Sequence, residues 1–98
     1  MDINMERKDK ELTVSLDGRL DTLSAPELED RLESGLDGVE TLVFDLEKLS
    51  YISSAGLRVL LSSMKVMDEQ GSMKVRNVSP EVMDIFEVTG FVDMLDIE

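Results

Sequence analysis

The chain has 98 residues, 42% of them apolar, with 22 acids against 10 bases, a formal net charge of −12 and no Cys or His. That is enough apolar material for a single domain over residues 1–98 with its own core, and it excludes disulfides, thiolate metal sites and any Ser-His-Asp triad. The charge disfavours nucleic acid and anionic membrane surfaces as partners; with no run of about 18 apolar residues and no signal-peptide pattern at the start, no membrane insertion and a cytoplasmic location are expected.

Ile3 and Met5, then Leu12, Val14 and Leu16, alternate with polar residues across the break Lys8-Asp9-Lys10. Period-two alternation predicts two half-buried strands joined as a hairpin. Residues 24–36 read as a helix. Ser24 and Glu27 have the spacing of a capping box, Leu23 and Leu28 that of a hydrophobic staple, and Ala25, Leu28, Leu32 and Leu36 form one stripe. The run Leu42-Val43-Phe44 predicts a strand covered on both faces, ending near Leu46 and followed by a short loop. Residues 54–70 read as the longest helix, with Leu57, Leu60, Leu61, Met64 and Met67 on one face and Gly71 as its stop. Met73, Val75 and Val78 mark another strand. Ser79-Pro80 opens a third helix, with a serine cap and Pro at the first helical position, running to Gly90. Phe91 to Ile97 reads as a last strand. The expected fold class is α/β, in the order β-β-α-β-α-β-α-β: a mixed five-stranded sheet with three helices packed against it.

The segment Leu49-Ser50-Tyr51-Ile52-Ser53-Ser54-Ala55-Gly56-Leu57 lies where a buried strand gives way to an amphipathic helix, at the sheet end where α/β folds usually bind ligands and partners. Ser54 reads as a helix cap; a hydroxyl there is also accessible, and a phosphate on it would meet helix N–H donors. Gly56 is either close packing against the sheet or room for another protein's backbone. Val59 and Val66, with Arg58, Ser62 and Ser63, form either a mildly apolar surface beside Ser54 or a contact with a neighbouring helix. The seven methionines suit core filling better than an adhesive surface. Asp21 and Asp45 are candidate oxygen ligands for Mg²⁺ in a phosphohydrolase, but the spacing of a metal loop is absent, as are the phosphate-binding loops of nucleotide enzymes. No metal site and no cofactor are expected.

This serine–glycine segment resembles the signature of the STAS domain family, as found in bacterial anti-sigma factor antagonists. Gly18-Arg19-Leu20-Asp21, Leu42-Val43-Phe44-Asp45-Leu46 and Ser79-Pro80 through Phe86 to Thr89-Gly90-Phe91 are similar to further parts of that pattern. The resemblance implies a non-enzymatic protein that binds an anti-sigma factor of the GHKL serine kinase type, frees a sigma factor, is inactivated by phosphorylation on a serine at the start of the second helix, and is restored by a PP2C-type phosphatase. The acceptor position falls on Ser54, with Ser53 as the alternative because it stands where the family usually has Asp; Ala55 stands where the family often has Ser or Thr. Asp21 matches an acidic position near the acceptor. Asp21, Ser53, Ser54, Gly56, Arg58 and Val59 are the expected partner-binding residues. The alternative within the family is a constitutive scaffold subunit of a transport or stress-sensing complex, with Ser54 only a cap.

Overall fold

The computed structural model describes residues 1–98. Its elements are strands β1 (Asp2–Lys8), β2 (Glu11–Leu20), β3 (Thr41–Ile52) and β4 (Ser72–Arg76), and helices α1 (Ala25–Gly35), α2 (Ser54–Gln70) and α3 (Pro80–Thr89), followed by a short 3₁₀ turn at Phe91–Asp93. The sheet has the order β1-β2-β3-β4. The β1–β2 hairpin is antiparallel, as expected, and β2–β3 and β3–β4 are parallel.

The sheet has four strands rather than five. After Gly90, whose φ of 82° ends α3 in the left-handed region, the Phe91 carbonyl accepts from the Met94 and Leu95 N–H groups and coils the chain into a turn. The apolar residues Phe91, Val92, Met94, Leu95 and Ile97 lack the period of a strand, and Asp93 and Asp96 interrupt them. Only one parallel bridge to the sheet forms, between Val75 and Ile97.

Strand β3 runs to Ile52, six residues beyond the expected end at Leu46. The register against β2 shifts twice, between Ser15/Asp17 and between Gly18/Arg19, and β3 carries the extra residue each time. A bulge of this kind inserts one residue and re-aims those after it. The buried positions therefore pass from the run Leu42-Val43-Phe44 to Leu46, Leu49 and Ile52, a spacing of three that does not read as a strand.

Leu12, Val14 and Leu16 of β2, Leu42, Phe44 and Leu46 of β3 and Val75 of β4 join Leu28 and Leu32 of α1, Leu57 and Leu60 of α2 and Val82 and Phe86 of α3 in one cluster of 23 buried residues. The helices thus cover one face of the sheet. The other carries Glu6, Thr13, Ser15, Asp45, Lys74 and Arg76, exposed or half-buried. Gly71 is needed at the turn into β4: a Cβ there would lie 1.9 Å from the Glu40 carbonyl oxygen.

Candidate functional site

Because β2 and β3 are parallel, their last residues, Leu20 and Ile52, lie side by side. The chain leaves both at the same edge. The Ser53 N–H donates to the Leu20 carbonyl at 2.8 Å, so the starts of α1 and α2 are tied together by backbone. Thr22, Ala25, Pro26 and Glu29 on the α1 side share a shallow recess with Ala55 and Arg58 on the α2 side.

The α1 start is built differently from its expected form. Ser24 does not cap through Glu27; it has helical backbone angles and its side chain makes no capping bond into the helix. The capping pair lies three residues earlier. The Ser24 N–H donates to Asp21 Oδ1 at 3.1 Å, and the Asp21 N–H donates to Ser24 Oγ at 2.9 Å. The Leu23 N–H also donates to Asp21 Oδ1 at 3.0 Å, and the Ala25 N–H to the Asp21 carbonyl at 2.9 Å. The single Ser24 hydroxyl proton has two acceptors in reach, the Arg19 carbonyl at 2.8 Å and Asp21 Oδ1 at 3.1 Å. This is the reciprocal logic of a capping box with Asp21 as the cap. The Ser24 N–H first, then the Leu23 N–H, the Ser24 hydroxyl and the nearby Arg19 charge hold the Asp21 carboxyl below its ordinary pKa, outweighing a desolvation effect that is second in size and acts the other way. The hydrogen bonds and the Arg19 charge favour the charged form. Arg19 is itself stacked over the Tyr51 ring, 4.3 Å from its centroid.

A consequence is that Leu23 is no staple. It projects from the locked turn and is 91% exposed. Sequence reasoning missed this residue, although Asp21-Thr22-Leu23-Ser24 has the D-x-x-S spacing that would have placed the cap at Asp21 and Leu23 outside the helix stripe.

The α2 start also differs by one residue. Ser53 is the cap: its backbone is extended and its Oγ accepts from the Gly56 N–H at 3.3 Å. Ser54 is therefore not the cap but the first helical residue, exposed. Its carbonyl takes a long 3.5 Å contact from Arg58 Nε, one turn on, while its own hydroxyl remains free. Gly56 is buried, and a Cβ on it would lie 2.7 Å from Leu20 Cγ and 2.8 Å from Ile52 Cγ1. Close packing on the sheet explains this glycine. Val59 is buried as well. It lines a groove between α1 and α2 with Leu32, Leu36, Ser62, Ser63 and Val66, so the neighbouring-helix reading holds for it. Of the six residues singled out, Ser54 and Arg58 are exposed, Asp21 and Ser53 half-buried, and Gly56 and Val59 support the surface from beneath.

Asp45 stands apart. It pairs in register with Ser15, six residues before Asp21, or roughly 20 Å along a strand. Its oxygens accept from the Glu47 N–H and the Asn77 side-chain amide. Asp21 and Asp45 cannot share one ion, and no group of three acids is placed to hold a metal. No helix is long and apolar enough to cross a membrane.

The STAS domain family model matches residues 2–98. The chain is 34% identical over 100 residues to the anti-sigma-B factor antagonist of Bacillus subtilis, covering 99% of this chain and 92% of that protein. It is 31% identical over 101 residues to the anti-sigma-B factor antagonist of Staphylococcus aureus, covering 99% and 94%. The structure of the anti-sigma factor antagonist SpoIIAA in its unphosphorylated form superimposes with a TM-score of 0.86 at 21% identity, over 99% of this chain and 88% of that one. With the family model spanning nearly every residue and the two helix starts meeting at one sheet edge, the chain belongs to the STAS domain family.

Proposed function

We propose that this protein is an anti-sigma factor antagonist, switched off by phosphorylation of Ser54. The single observation that carries the switch is the exposed, unengaged Ser54 hydroxyl beside a Ser53 hydroxyl occupied in capping. The relatives above 30% identity that bear the antagonist name support the class of function. On this reading the chain has no catalysis of its own. Its partner is an anti-sigma factor that is also a GHKL-type serine kinase, and a PP2C-type phosphatase reverses the modification.

The Ser54 Oγ attacks the γ-phosphorus of ATP in the kinase site, loses its proton, and ADP leaves with the cleaved bridging oxygen. The product carries roughly −1.5 to −2 charges at the first position of α2. Within the domain this is tolerated, because helix N-terminal N–H groups favour an anion. Across an interface centred on Ser54 the same charge must be desolvated, which can cost several kcal/mol, and each 1.4 kcal/mol weakens binding about tenfold. Release therefore needs no refolding. The docking surface on this reading comprises Ser54, Arg58, the rim formed by Asp21 and Ser53, and the projecting Leu23; Gly56 and Val59 hold it in place.

The test is incubation with the cognate kinase and ATP, followed by phosphosite mapping and a binding assay. The expected result is one phosphate on Ser54 and loss of the complex. Phosphate on Ser53 alone, or a stable complex with the kinase that never modifies Ser54, would overturn the switch. Recovery of a transport ATPase or permease component as the bound partner would overturn the antagonist reading itself.

A further inference from the structure

We propose that Arg58 is the residue that receives the phosphate once Ser54 carries it, folding the modified side chain down onto α2 as an internal ion pair. This rests on the reading of Ser54 as the acceptor and concerns what the modified site then looks like.

Arg58 stands four residues after Ser54, on the same helix face one turn on. Helical side chains lean toward the N-terminus, so a long side chain at i+4 reaches back over residue i. The structure has this arrangement already: Arg58 Nε lies 3.5 Å from the Ser54 carbonyl. At that distance the contact is weak, so the guanidinium lies close to Ser54 with its donors still available. No carboxylate claims the head group. In a chain with 22 acids, the ion pair formed is Lys10–Glu40, at the other end of the strands. Glu29 lines the same recess as Arg58 and makes no ion pair with it.

A phosphate on Ser54 Oγ changes this balance. Side chains at i and i+4 are neighbours about 5–6 Å apart at Cβ, and the pairing is better with the anion on the N-terminal side. The guanidinium presents a planar fork of N–H donors that matches two phosphate oxygens. The pair favours the dianionic phosphate over the monoanion. The modified domain would then present a fixed dianion lying along the first turn of α2, in place of a side chain swinging freely in solvent.

Phosphoserine introduced at position 54 by codon suppression supplies the modified chain without a kinase, and phosphorus NMR titration reads the second ionisation of its phosphate, ordinarily near pH 6. With Arg58→Gln the second pKa is expected to rise by about half a unit or more relative to the chain with Arg58. Arg58→Lys should recover part of the difference, since an ammonium supplies the charge without the fork. Lys65→Gln removes an equal charge from an exposed position on α2, about 10 Å further along the helix, and should leave the pKa within about 0.1 unit in physiological salt. Equal shifts for Arg58→Gln and Lys65→Gln, or no shift in either, would overturn the pairing. Because the phosphate is placed without an enzyme, that failure is distinct from a kinase choosing another serine, which phosphosite mapping reads separately.

Discussion

Ser53 and Ser54 are adjacent serines in opposite situations: the Ser53 hydroxyl accepts from the Gly56 N–H at 3.3 Å, and the Ser54 hydroxyl points from the first turn of α2 into solvent with no partner in the chain. One is committed to the helix and the other is left available. Ser53→Ala should lower the unfolding free energy by about 1 kcal/mol, the usual cost of losing a cap. Ser54→Ala should stay within about 0.5 kcal/mol of the unsubstituted chain, as an exposed position without special contacts does. Urea denaturation followed by circular dichroism measures both. Equal losses would mean that the cap is not assigned to Ser53 alone.

Gly56→Ala inverts an ordinary expectation. In an open helix the change gains about 0.5–1 kcal/mol. Here the added carbon would lie 2.7 Å from Leu20 Cγ and 2.8 Å from Ile52 Cγ1. Leu20 Cγ is a branch carbon and Ile52 Cγ1 a methylene in mid side chain, both in the core rather than at a mobile end, so the helix or the strand ends must move. A loss of about 1–3 kcal/mol is expected, read from the same denaturation curves. Since Leu20 and Ile52 are the last residues of β2 and β3, the displacement would also move Ser54 relative to Asp21, and partner affinity should fall with stability. A stabilised Gly56→Ala chain would contradict the packing described.

The pH dependence follows from Asp21. Its carboxyl is held below the usual value chiefly by the Ser24 N–H, then by the Leu23 N–H, the Ser24 hydroxyl and Arg19. A folded-state pKa below the unfolded one means stabilisation that is complete above about pH 4, the unfolded value, and is lost as pH falls through the folded value. Asp21→Asn keeps an oxygen acceptor at the cap and removes the charge. Its stability deficit should be largest at neutral pH and should shrink as the solution is acidified below about pH 4. A deficit independent of pH would assign the effect to cap geometry instead.

Much of this architecture is visible in residue periodicity. The hairpin, the three helices, the cap at Ser79 and the stop at Gly90 follow from alternation, i/i+4 stripes and turn residues, and the structure has them all. What failed did so for identifiable reasons. The second half of β3 was hidden because two bulges turn its buried period into three at Leu46, Leu49 and Ile52. The expected last strand does not form because the apolar residues after Gly90 close a turn rather than extend. At the site, spacing located both helix starts but misassigned both caps, by three residues at Asp21 and by one at Ser53. Such shifts leave the elements unchanged and decide which hydroxyl is free. Local spacing also could not tell that Gly56 and Val59 face inward, since that depends on where α1 and β2 lie.

Charge at position 54 offers the most direct test of the proposed switch in binding terms. Ser54 is exposed at the first helical position, so neither Ser54→Ala nor Ser54→Glu should disturb the fold, and thermal denaturation should place both close to the unsubstituted chain. Ser54→Glu should even gain slightly, by about 0.3–1 kcal/mol, from a negative charge at a helix N-terminus. Partner affinity should separate the two. The alanine chain should bind the anti-sigma factor within about twofold of the original, because only a hydroxyl is lost at a surface position. The glutamate chain should bind at least about tenfold more weakly, the effect of 1.4 kcal/mol, since its carboxylate must be desolvated in the interface. Titration calorimetry against the purified partner distinguishes these outcomes. Equal affinities for the three chains would place the interface away from Ser54. Weak binding by the alanine chain would mean that the hydroxyl is recognised directly and that the release mechanism is not one of charge.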